Sequence, residues 1–348
     1  MTYLGFPAKQ QHEFRQLLRQ WWLAAGLLLL GIGLILALLF APQPLSLTLT
    51  ATIPVGQEPL GITLSPDHSQ VYVANAQSGT VSVIDTASHT VVHTITVNPQ
   101  GRLNSVIISS DGATLYVTDA KSRTVEVFRL PDGQRTATIP VRLFPQGMAF
   151  SSDGRELYVV NSASNNVSVI DTTSHTLLAN IAVNERPYAI VMAPDGQRAY
   201  VTSSQTHSIT VLDTAQHAVV ETIMLDTMSR LTNAAISPDG KHLYICDAIS
   251  NSIVVVDTAS STQTHTLSAA QFDDRSDLEF SPTDVALSAD GTRLYAVGRT
   301  GYVSVIDLEQ QTILASLEVG KDLRQIALSS DGTAYMTSFG NNSVRVVQ

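Results

Sequence analysis

Apolar and polar residues alternate in short runs throughout the chain after Pro44, and these runs recur at regular intervals. Residues 81–85, "VSVID", are typical, because every second side chain is apolar, as expected for a β-strand with one buried face. Equivalent runs occupy residues 125–128, 167–171, 209–213, 253–257, 303–307 and 344–347. No stretch after Pro44 has a convincing helical period, so the pattern predicts an all-β fold.

Two further landmarks repeat in step with these strands. A polar turn of the Ser-Pro-Asp-Gly type begins at Ser65, Ser109, Ser151, Ala193, Ser237, Ser288 and Ser329. A tyrosine follows each turn, at Tyr72, Tyr116, Tyr158, Tyr200, Tyr244, Tyr295 and Tyr335. Successive turns are 44, 42, 42, 44, 51 and 41 residues apart, and a typical interval holds four short strand patterns. Because four strands in about 42 residues are typical of one propeller blade, residues 45–348 are predicted to form a seven-bladed β-propeller.

These motifs resemble the YVTN-repeat family of seven-bladed β-propellers. The resemblance rests on the turn, on Tyr-Val-x-Asn (72–75 and 158–161) and on Val-Ser-Val-Ile-Asp-Thr (81–86 and 167–172), and it covers residues 45–348. It implies a fold found largely in bacteria and archaea, often extracytoplasmic or associated with surface layers. It implies little about activity, because the motif residues of the family are mostly architectural. Two local departures are His68 in place of the turn glycine and Arg129-Leu130 in place of Asp-Thr.

The two ends of the repeat region indicate how the ring closes. The last unit stops after its third strand, whereas residues 45–56, "LSLTLTATIPVG", match the fourth strand of other units. The N-terminal strand is therefore predicted to complete the seventh blade, which would protect strand edges that otherwise invite aggregation.

A different kind of segment precedes the propeller. Residues 21–40 contain no charged side chain, and at about 1.5 Å per residue they are long enough to cross a bilayer as a helix. Lys9, Arg15 and Arg19 precede this segment, and the next basic residue is Arg102. The positive-inside rule therefore predicts a cytoplasmic segment 1–20, a transmembrane signal-anchor 21–40, a short linker 41–44 with two prolines, and a propeller in the periplasm or at the cell surface.

A cleaved signal peptide is the alternative interpretation of the same segment. The apolar core is longer than such peptides usually have, and Leu39 and Pro42 do not suit a small-x-small cleavage site near Ala41. Within the predicted helix, Gly33, Ala37 and Ala41 recur every four residues and could pack against another membrane helix. The stiff linker predicts that the propeller is held close to the outer surface of the bilayer.

Composition narrows the chemistry of the propeller. Residues 45–348 carry 17 basic and 29 acidic side chains, a net charge of −12, and nucleic acid is not expected as a partner because it requires a basic footprint. Cys246 is the only cysteine and is expected to be a buried, inert thiol. The turn histidines His89, His175 and His217 lie on different blades, so no metal is expected there, and no cofactor is expected either.

The first strand of each blade should line the central channel. Four residues before each turn serine stand Gly61, Ser105, Gly147, Ala189, Asn233, Asp284 and Gln325. The last three are polar and fall on consecutive blades, and the same strand ends carry Arg102, Arg186 and Arg230 nearby. These six residues, Arg102, Arg186, Arg230, Asn233, Asp284 and Gln325, are the candidate ligand site, with arginines for an anionic group and amides for orientation. The competing interpretation is a water-filled channel with an ordinary polar rim.

One interval is longer than the others. The surplus, "SAAQFDDRSDLEFSP", lies between the fifth and sixth units and carries Asp273, Asp274, Asp277 and Glu279. Insertions in repeat proteins often map to a binding face, so this loop is a candidate for partner binding, although a solvated loop is the simpler interpretation.

Three functions remain open at this stage. The first is a membrane-anchored extracytoplasmic binding or scaffold module for a membrane or membrane-proximal partner, and no catalytic constellation is identified. The second is an accessory subunit of a membrane complex, for example an electron-transfer or photosynthetic one. The third is a hydrolase, because the fold resembles seven-bladed lactonases of the phosphogluconolactonase type, and only Asp284 with nearby arginines offers the necessary acid–base chemistry.

Overall fold

A computed structural model describes residues 22, 45–225, 229–268 and 281–348 of the chain. Apart from residue 22, the predicted membrane segment with Gly33 and Ala37 lies outside these residues, as do Ala41 and the acidic loop with Asp273, Asp274, Asp277 and Glu279. Within the described ranges, no helix is both long and apolar enough to cross a membrane. The β-strands lie in one compact unit, Ser46–Gln348.

Seven four-stranded antiparallel sheets confirm the predicted seven-bladed architecture. Blades one to three consist of β2 (Pro59–Leu64), β3 (Gln70–Asn75), β4 (Thr80–Asp85), β5 (Thr90–Thr96), then β6 (Leu103–Ile108), β7 (Thr114–Asp119), β8 (Thr124–Arg129), β9 (Gln134–Pro140), then β10 (Pro145–Phe150), β11 (Glu156–Asn161), β12 (Asn166–Asp171) and β13 (Thr176–Ala182). Blades four and five consist of β14 (Pro187–Met192), β15 (Arg198–Ser203), β16 (Ser208–Asp213), β17 (Ala218–Met224), then β18 (Leu231–Ile236), β19 (His242–Asp247), β20 (Ser252–Asp257) and β21 (Thr262–Ser268). Blade six consists of β22 (Pro282–Leu287), β23 (Arg293–Gly298), β24 (Tyr302–Asp307) and β25 (Thr312–Glu318). Blade seven consists of β26 (Leu323–Leu328), β27 (Ala334–Ser338), β28 (Ser343–Val347) and β1 (Leu49–Pro54), with a short 3-10 turn at Phe339–Asn341.

The seventh blade joins the two ends of the described propeller, as predicted. β1 pairs antiparallel with β28, and Ile53 lies opposite Val344. The Ile53 side chain is 3% exposed and packs in a cluster shared with blade one. The ring is also joined at its turns, because His68 of blade one accepts a hydrogen bond at Nδ1 from the amide of Ser330 in blade seven, 3.0 Å away. His68 replaces the usual turn glycine in blade one, and its ring bridges blades one and seven, where the ring closes.

The hydrophobic core lies between neighbouring blades. Tyr72 in β3 is buried with Val106 and Leu115 of the next blade, and Tyr116 is buried with Leu157 in the same way. The recurring tyrosine is therefore a packing residue, which fits an aromatic side chain that buries a large apolar area. This packing role explains why a tyrosine follows the polar turn in every unit.

The repeated motifs hold each blade together by side-chain hydrogen bonds. Asn75 donates from Nδ2 to Ser82 Oγ over 2.9 Å, which joins the asparagine of Tyr-Val-x-Asn to the serine of Val-Ser-Val-Ile-Asp-Thr. Asp85 accepts a hydrogen bond of 2.7 Å from the Ser88 amide and so caps the turn. Thr86 Oγ1 donates to the carbonyl of His68, 2.9 Å away. The motif is architectural at each of these positions, and function must be sought elsewhere.

Candidate functional site

The two ends of the channel differ in chemistry. The first strand of each blade begins at one end, called here the mouth face, and ends at the polar turn with its aspartate, called here the turn face. A cavity of about 50 Å³ lies at the mouth face. The polar side chains that line it and bear on its chemistry are Tyr188, Arg230, Asn233, Arg299, Arg324 and Gln325.

Three arginines from consecutive blades meet at this cavity. Arg230 lies just before β18 in blade five, Arg299 just after β23 in blade six, and Arg324 in β26 of blade seven. Burial raises the pKa of the Tyr188 hydroxyl overall, Asp284 adds to the rise, and the charges of the three arginines oppose it. The lining of the cavity thus brings three guanidinium groups together in a propeller whose net charge is −12.

Arg324 is held in position by two contacts. Its Nη2 atom lies 2.6 Å from Asp322 Oδ2, and its guanidinium carbon lies 4.5 Å from the ring centre of Phe339. The Nε atom is buried and has no hydrogen-bond partner among the described residues. A buried charged donor without a partner is uncommon, so this atom is open to an acceptor supplied by a ligand or by water.

No described carboxylate forms a salt bridge with Arg230 or Arg299. The backbone of Arg230 is fixed, since its amide donates to Asp247 Oδ1 over 2.9 Å. The amide of Arg299 donates to the carbonyl of Ser281 over 3.2 Å. Both residues therefore have a fixed backbone, and within the described part of the chain their guanidinium groups are not neutralised by an acidic neighbour.

The polar residues four positions before the turn join neighbouring blades around the axis. Asn233 Nδ2 donates to the Thr283 carbonyl over 2.9 Å, and Gln325 Oε1 accepts from the Ile62 amide over 3.2 Å. At the junction between blades one and two the same position is Gly61, where an added Cβ would stand 2.9 Å from the Asn104 carbonyl oxygen. The first strands are thus too close for a side chain at that junction, whereas amide side chains bridge blades five to six and seven to one.

Asp284 belongs to the same ring of bridging groups. Its Oδ2 accepts from the Ile326 amide and its Oδ1 from the Val285 amide, both over 3.0 Å. The carboxyl keeps part of its surface along the narrow channel, but the surrounding strands remove most of the water. This desolvation raises the pKa of Asp284 to about 7, and the two amide bonds oppose the shift. Near neutral pH the carboxyl can therefore either hold or release a proton.

The structure brings together only part of the predicted site. Arg230, Asn233 and Gln325 line the cavity, whereas Asp284, in the same register as Asn233 and Gln325, is not among the residues that line it. Arg102 and Arg186 are exposed and are not among the residues lining this cavity. Sequence reasoning missed Tyr188, Arg299 and Arg324. Tyr188 and Arg324 stand five positions before the turn, and this register also lines the cavity. A large polar side chain in a strand that lines the channel was the signal that could have identified them.

The remaining candidates have structural roles. Cys246 in β19 is fully buried in an apolar cluster, and burial raises the pKa of its thiol well above the usual value. His89, His175 and His217 lie in outer turns and pack against tyrosines of the preceding blades. In the described ranges, no three His, Cys, Asp or Glu side chains are grouped closely enough to hold a metal ion.

Comparison with solved structures gives a match to a chain of hydrazine synthase from Kuenenia stuttgartiensis. The TM-score is 0.76 at 24% sequence identity, and the match covers 83% of this chain and 95% of that chain. At this identity the likeness shows the fold alone. No curated protein matches the sequence.

The model of a lactonase family, described as "Lactonase, 7-bladed beta-propeller", matches residues 62–189 and 179–323. These two overlapping matches together run from the first strand of blade one into the first strand of blade seven. The matched region includes the strands that carry Tyr188, Arg230 and Asp284. The chain therefore belongs to the lactonase family of seven-bladed β-propellers.

Proposed function

We propose that this propeller is a binding module that takes a small anionic group, a carboxylate or a phosphate, at the channel mouth. The observation that carries the proposal is the meeting of Arg230, Arg299 and Arg324 at one cavity of an acidic propeller. Guanidinium groups bind carboxylate and phosphate oxygens through paired, charge-assisted hydrogen bonds. The buried Nε of Arg324, which has no described partner, supports an acceptor at this place.

The size of the cavity limits what enters it. About 50 Å³ accommodates an anionic head group rather than a whole metabolite, so the rest of the ligand would extend from the mouth. Asn233 and Gln325 use one end of each amide between blades, which leaves Asn233 Oδ1 and Gln325 Nε2 to orient polar groups of the ligand. The site is thus suited to a small polar anion.

A thermal-shift screen of small carboxylates and phosphates tests this function. A binding anion should raise the melting temperature of the wild-type protein and should do so much less for Arg299→Gln or Arg324→Gln, because each variant removes a positive charge from the cavity. Arg102→Gln and Arg186→Gln are the matched controls, since these arginines are as exposed as Arg230 and Arg299 but do not line the cavity. An anion that stabilises all four variants equally would contradict the assignment.

Hydrolysis of a lactone is a second candidate, favoured by a separate observation. Desolvation raises the pKa of Asp284 to about 7, and its charge acts on Tyr188 together with those of the three arginines, so a general base and groups that bind a carboxylate product would occur at one end of the channel. The family model is named for lactonases. A lactone hydrolysis assay with the wild-type protein and Asp284→Asn tests this candidate. Hydrolysis that persists in Asp284→Asn would exclude Asp284 as the base.

We further propose that residues 21–40 anchor the module in a membrane, with the propeller on the extracytoplasmic side. The uncharged length of this segment and the basic residues before it support the anchor. Such an anchor would favour membrane-proximal partners and is compatible with a role as an accessory subunit. Extraction of membranes with alkaline carbonate should leave the full-length protein in the pellet. Release into the supernatant would argue against a spanning anchor.

A further inference from the structure

Three junctions between blades share a histidine–tyrosine contact on the turn face. His89, His175 and His217 each come from the outer turn of one blade and pack edge-on against the tyrosine of the preceding blade, with ring centres 6.3, 6.1 and 6.2 Å apart. At the third of these junctions, His217 Nε2 also lies 3.0 Å from the Glu156 carboxylate. The protein itself therefore shows that this space takes a planar nitrogen-containing ring beside a tyrosine and a carboxylate.

The junction between blades one and two lacks this ring. Gly133 stands at the histidine position, and the outer turn reads Arg-Leu-Pro-Asp-Gly instead of the usual Asp-Thr pattern. A cavity of about 280 Å³ lies beside Tyr72 at this junction, and Leu130 and Pro131 form one wall. Asp67 and Asp111 line it from the two polar turns. We call this cavity the blade one–two cleft.

The charge around the cleft is negative and uncompensated. In blades three to six the turn aspartate is followed within three residues by a basic side chain: Arg155, Arg198, Lys241 and Arg293. The turns of blades seven, one and two have no lysine or arginine at these positions. The nearest cation in sequence, Arg129, is already paired with Asp132 at 2.5 Å. The cleft is therefore lined by two carboxylates and by no lysine or arginine.

We propose that the blade one–two cleft is a binding site for a planar cationic side chain, a guanidinium, presented by a basic partner protein. Its plane would lie between Tyr72 and the Leu130–Pro131 wall, in the space that histidine fills elsewhere, and its charge would face Asp67 and Asp111. Aromatic and proline surfaces beside carboxylates favour guanidinium over ammonium, because guanidinium is planar and more weakly hydrated. This site is on the opposite face from the channel mouth and takes the opposite charge, so it is independent of the proposed anion site.

Titration of the full-length protein in mild detergent with L-argininamide tests the proposal by calorimetry. L-citrullinamide is the matched probe, because a neutral urea group replaces the guanidinium with little change in shape. We expect L-argininamide to bind, and we expect L-citrullinamide to bind at least about tenfold more weakly. Equal binding of the two probes, or no binding of L-argininamide, would overturn the proposal.

Three variants locate the binding. Gly133→His should fill the cleft and abolish binding, since histidine adopts the same left-handed backbone at His89, His175 and His217, although the side chains of Ile95 and His93 must both give way slightly. Asp111→Asn should weaken L-argininamide binding about three- to tenfold while keeping the Ala113 amide bond to the side-chain oxygen. Asp153→Asn, in the equivalent turn of blade three, should change it less than about twofold. An equal loss in Asp111→Asn and Asp153→Asn would place the binding elsewhere.

Discussion

Asp284 Oδ2 accepts a hydrogen bond of 3.0 Å from the backbone amide of Ile326, which joins the first strand of blade six to the first strand of blade seven. The carboxyl thus serves as a bridge between blades in a place where the channel is narrow. The same desolvation that raises its pKa to about 7 makes the bridge sensitive to protonation. The Asp284 side chain therefore both joins two blades and titrates near neutral pH.

The stability of the propeller should depend on pH through Asp284. The pKa of Asp284 rises from 3.8 in the unfolded chain to about 7 in the fold, so the folded state binds the proton more tightly. This contribution is fully present below about pH 4 and is lost as the pH rises through about 7. Urea unfolding at pH 5.5 and 8.5 should show wild type losing about 1–2 kcal/mol relative to Asp284→Asn over that interval. Parallel pH curves for the two proteins would contradict the raised pKa.

Anion binding at the mouth should weaken with rising pH for the same reason. Ionisation of Asp284 above about pH 7 adds a negative charge to the end of the channel where Arg230, Arg299 and Arg324 meet, and the charges of all four groups act on Tyr188. The affinity for a small carboxylate should therefore fall by about three- to tenfold between pH 6 and pH 8 in wild type. In Asp284→Asn it should stay nearly constant. Citrate is unsuitable for this series because it titrates in the same range, so benzoate is the better probe.

The packing of the first strands differs around the ring, and glycine substitutions should reveal it. A Cβ on Gly61 would stand 2.9 Å from the Asn104 oxygen and 2.9 Å from the Ser105 Cα, both backbone atoms that cannot move away freely. At Gly147 the nearest backbone atom would be 3.2 Å away. Gly61→Ala should cost about 2 kcal/mol or more of unfolding free energy and Gly147→Ala clearly less. Equal losses in thermal denaturation would mean that the junctions are equally spaced.

The closing strand should be essential to stability through its one buried side chain. Ile53 is 3% exposed and packs between blades seven and one, so Ile53→Ala should lower the unfolding free energy by about 2–4 kcal/mol. Leu49→Ala in the same strand is the control, because Leu49 is 42% exposed. If Ile53→Ala melted within a degree of wild type, closure by β1 would contribute little to the fold.

The sequence predicted the fold well because the signals were local and repeated. The turn aspartate, the tyrosine and the alternating strand each occur once per blade. The extra strand pattern at residues 45–56 correctly predicted how the ring closes. His68 shows the limit of that reasoning. In the sequence it is only a departure from the turn glycine, whereas in the structure its ring contacts Ser330 across the closing junction, 262 residues away in the chain.

The candidate site was predicted only in part, for a geometric reason. The position four before the turn was recognised as facing the channel, but the position before it, at the start of the strand, also lines the cavity. Tyr188 and Arg324 occupy that position, and Arg299 arrives from a different hairpin, so periodicity along one strand could not bring the three together. Arg102 and Arg186 share a register with Arg230 yet do not line the cavity, because the register does not fix the direction of a long side chain on a rim.

The central claim is that the arginine cluster at the channel mouth binds an anion, and calorimetric titration of the full-length protein with inorganic phosphate and with citrate tests it most directly. The double variant Arg230→Gln/Arg324→Gln removes two guanidinium groups that line the cavity, and Arg102→Gln/Arg186→Gln removes the same charge from residues that do not line it. We predict that the first double variant weakens binding by about tenfold or more and the second by less than about twofold. Equal losses in the two double variants, or no binding of either anion to wild type, would contradict the account.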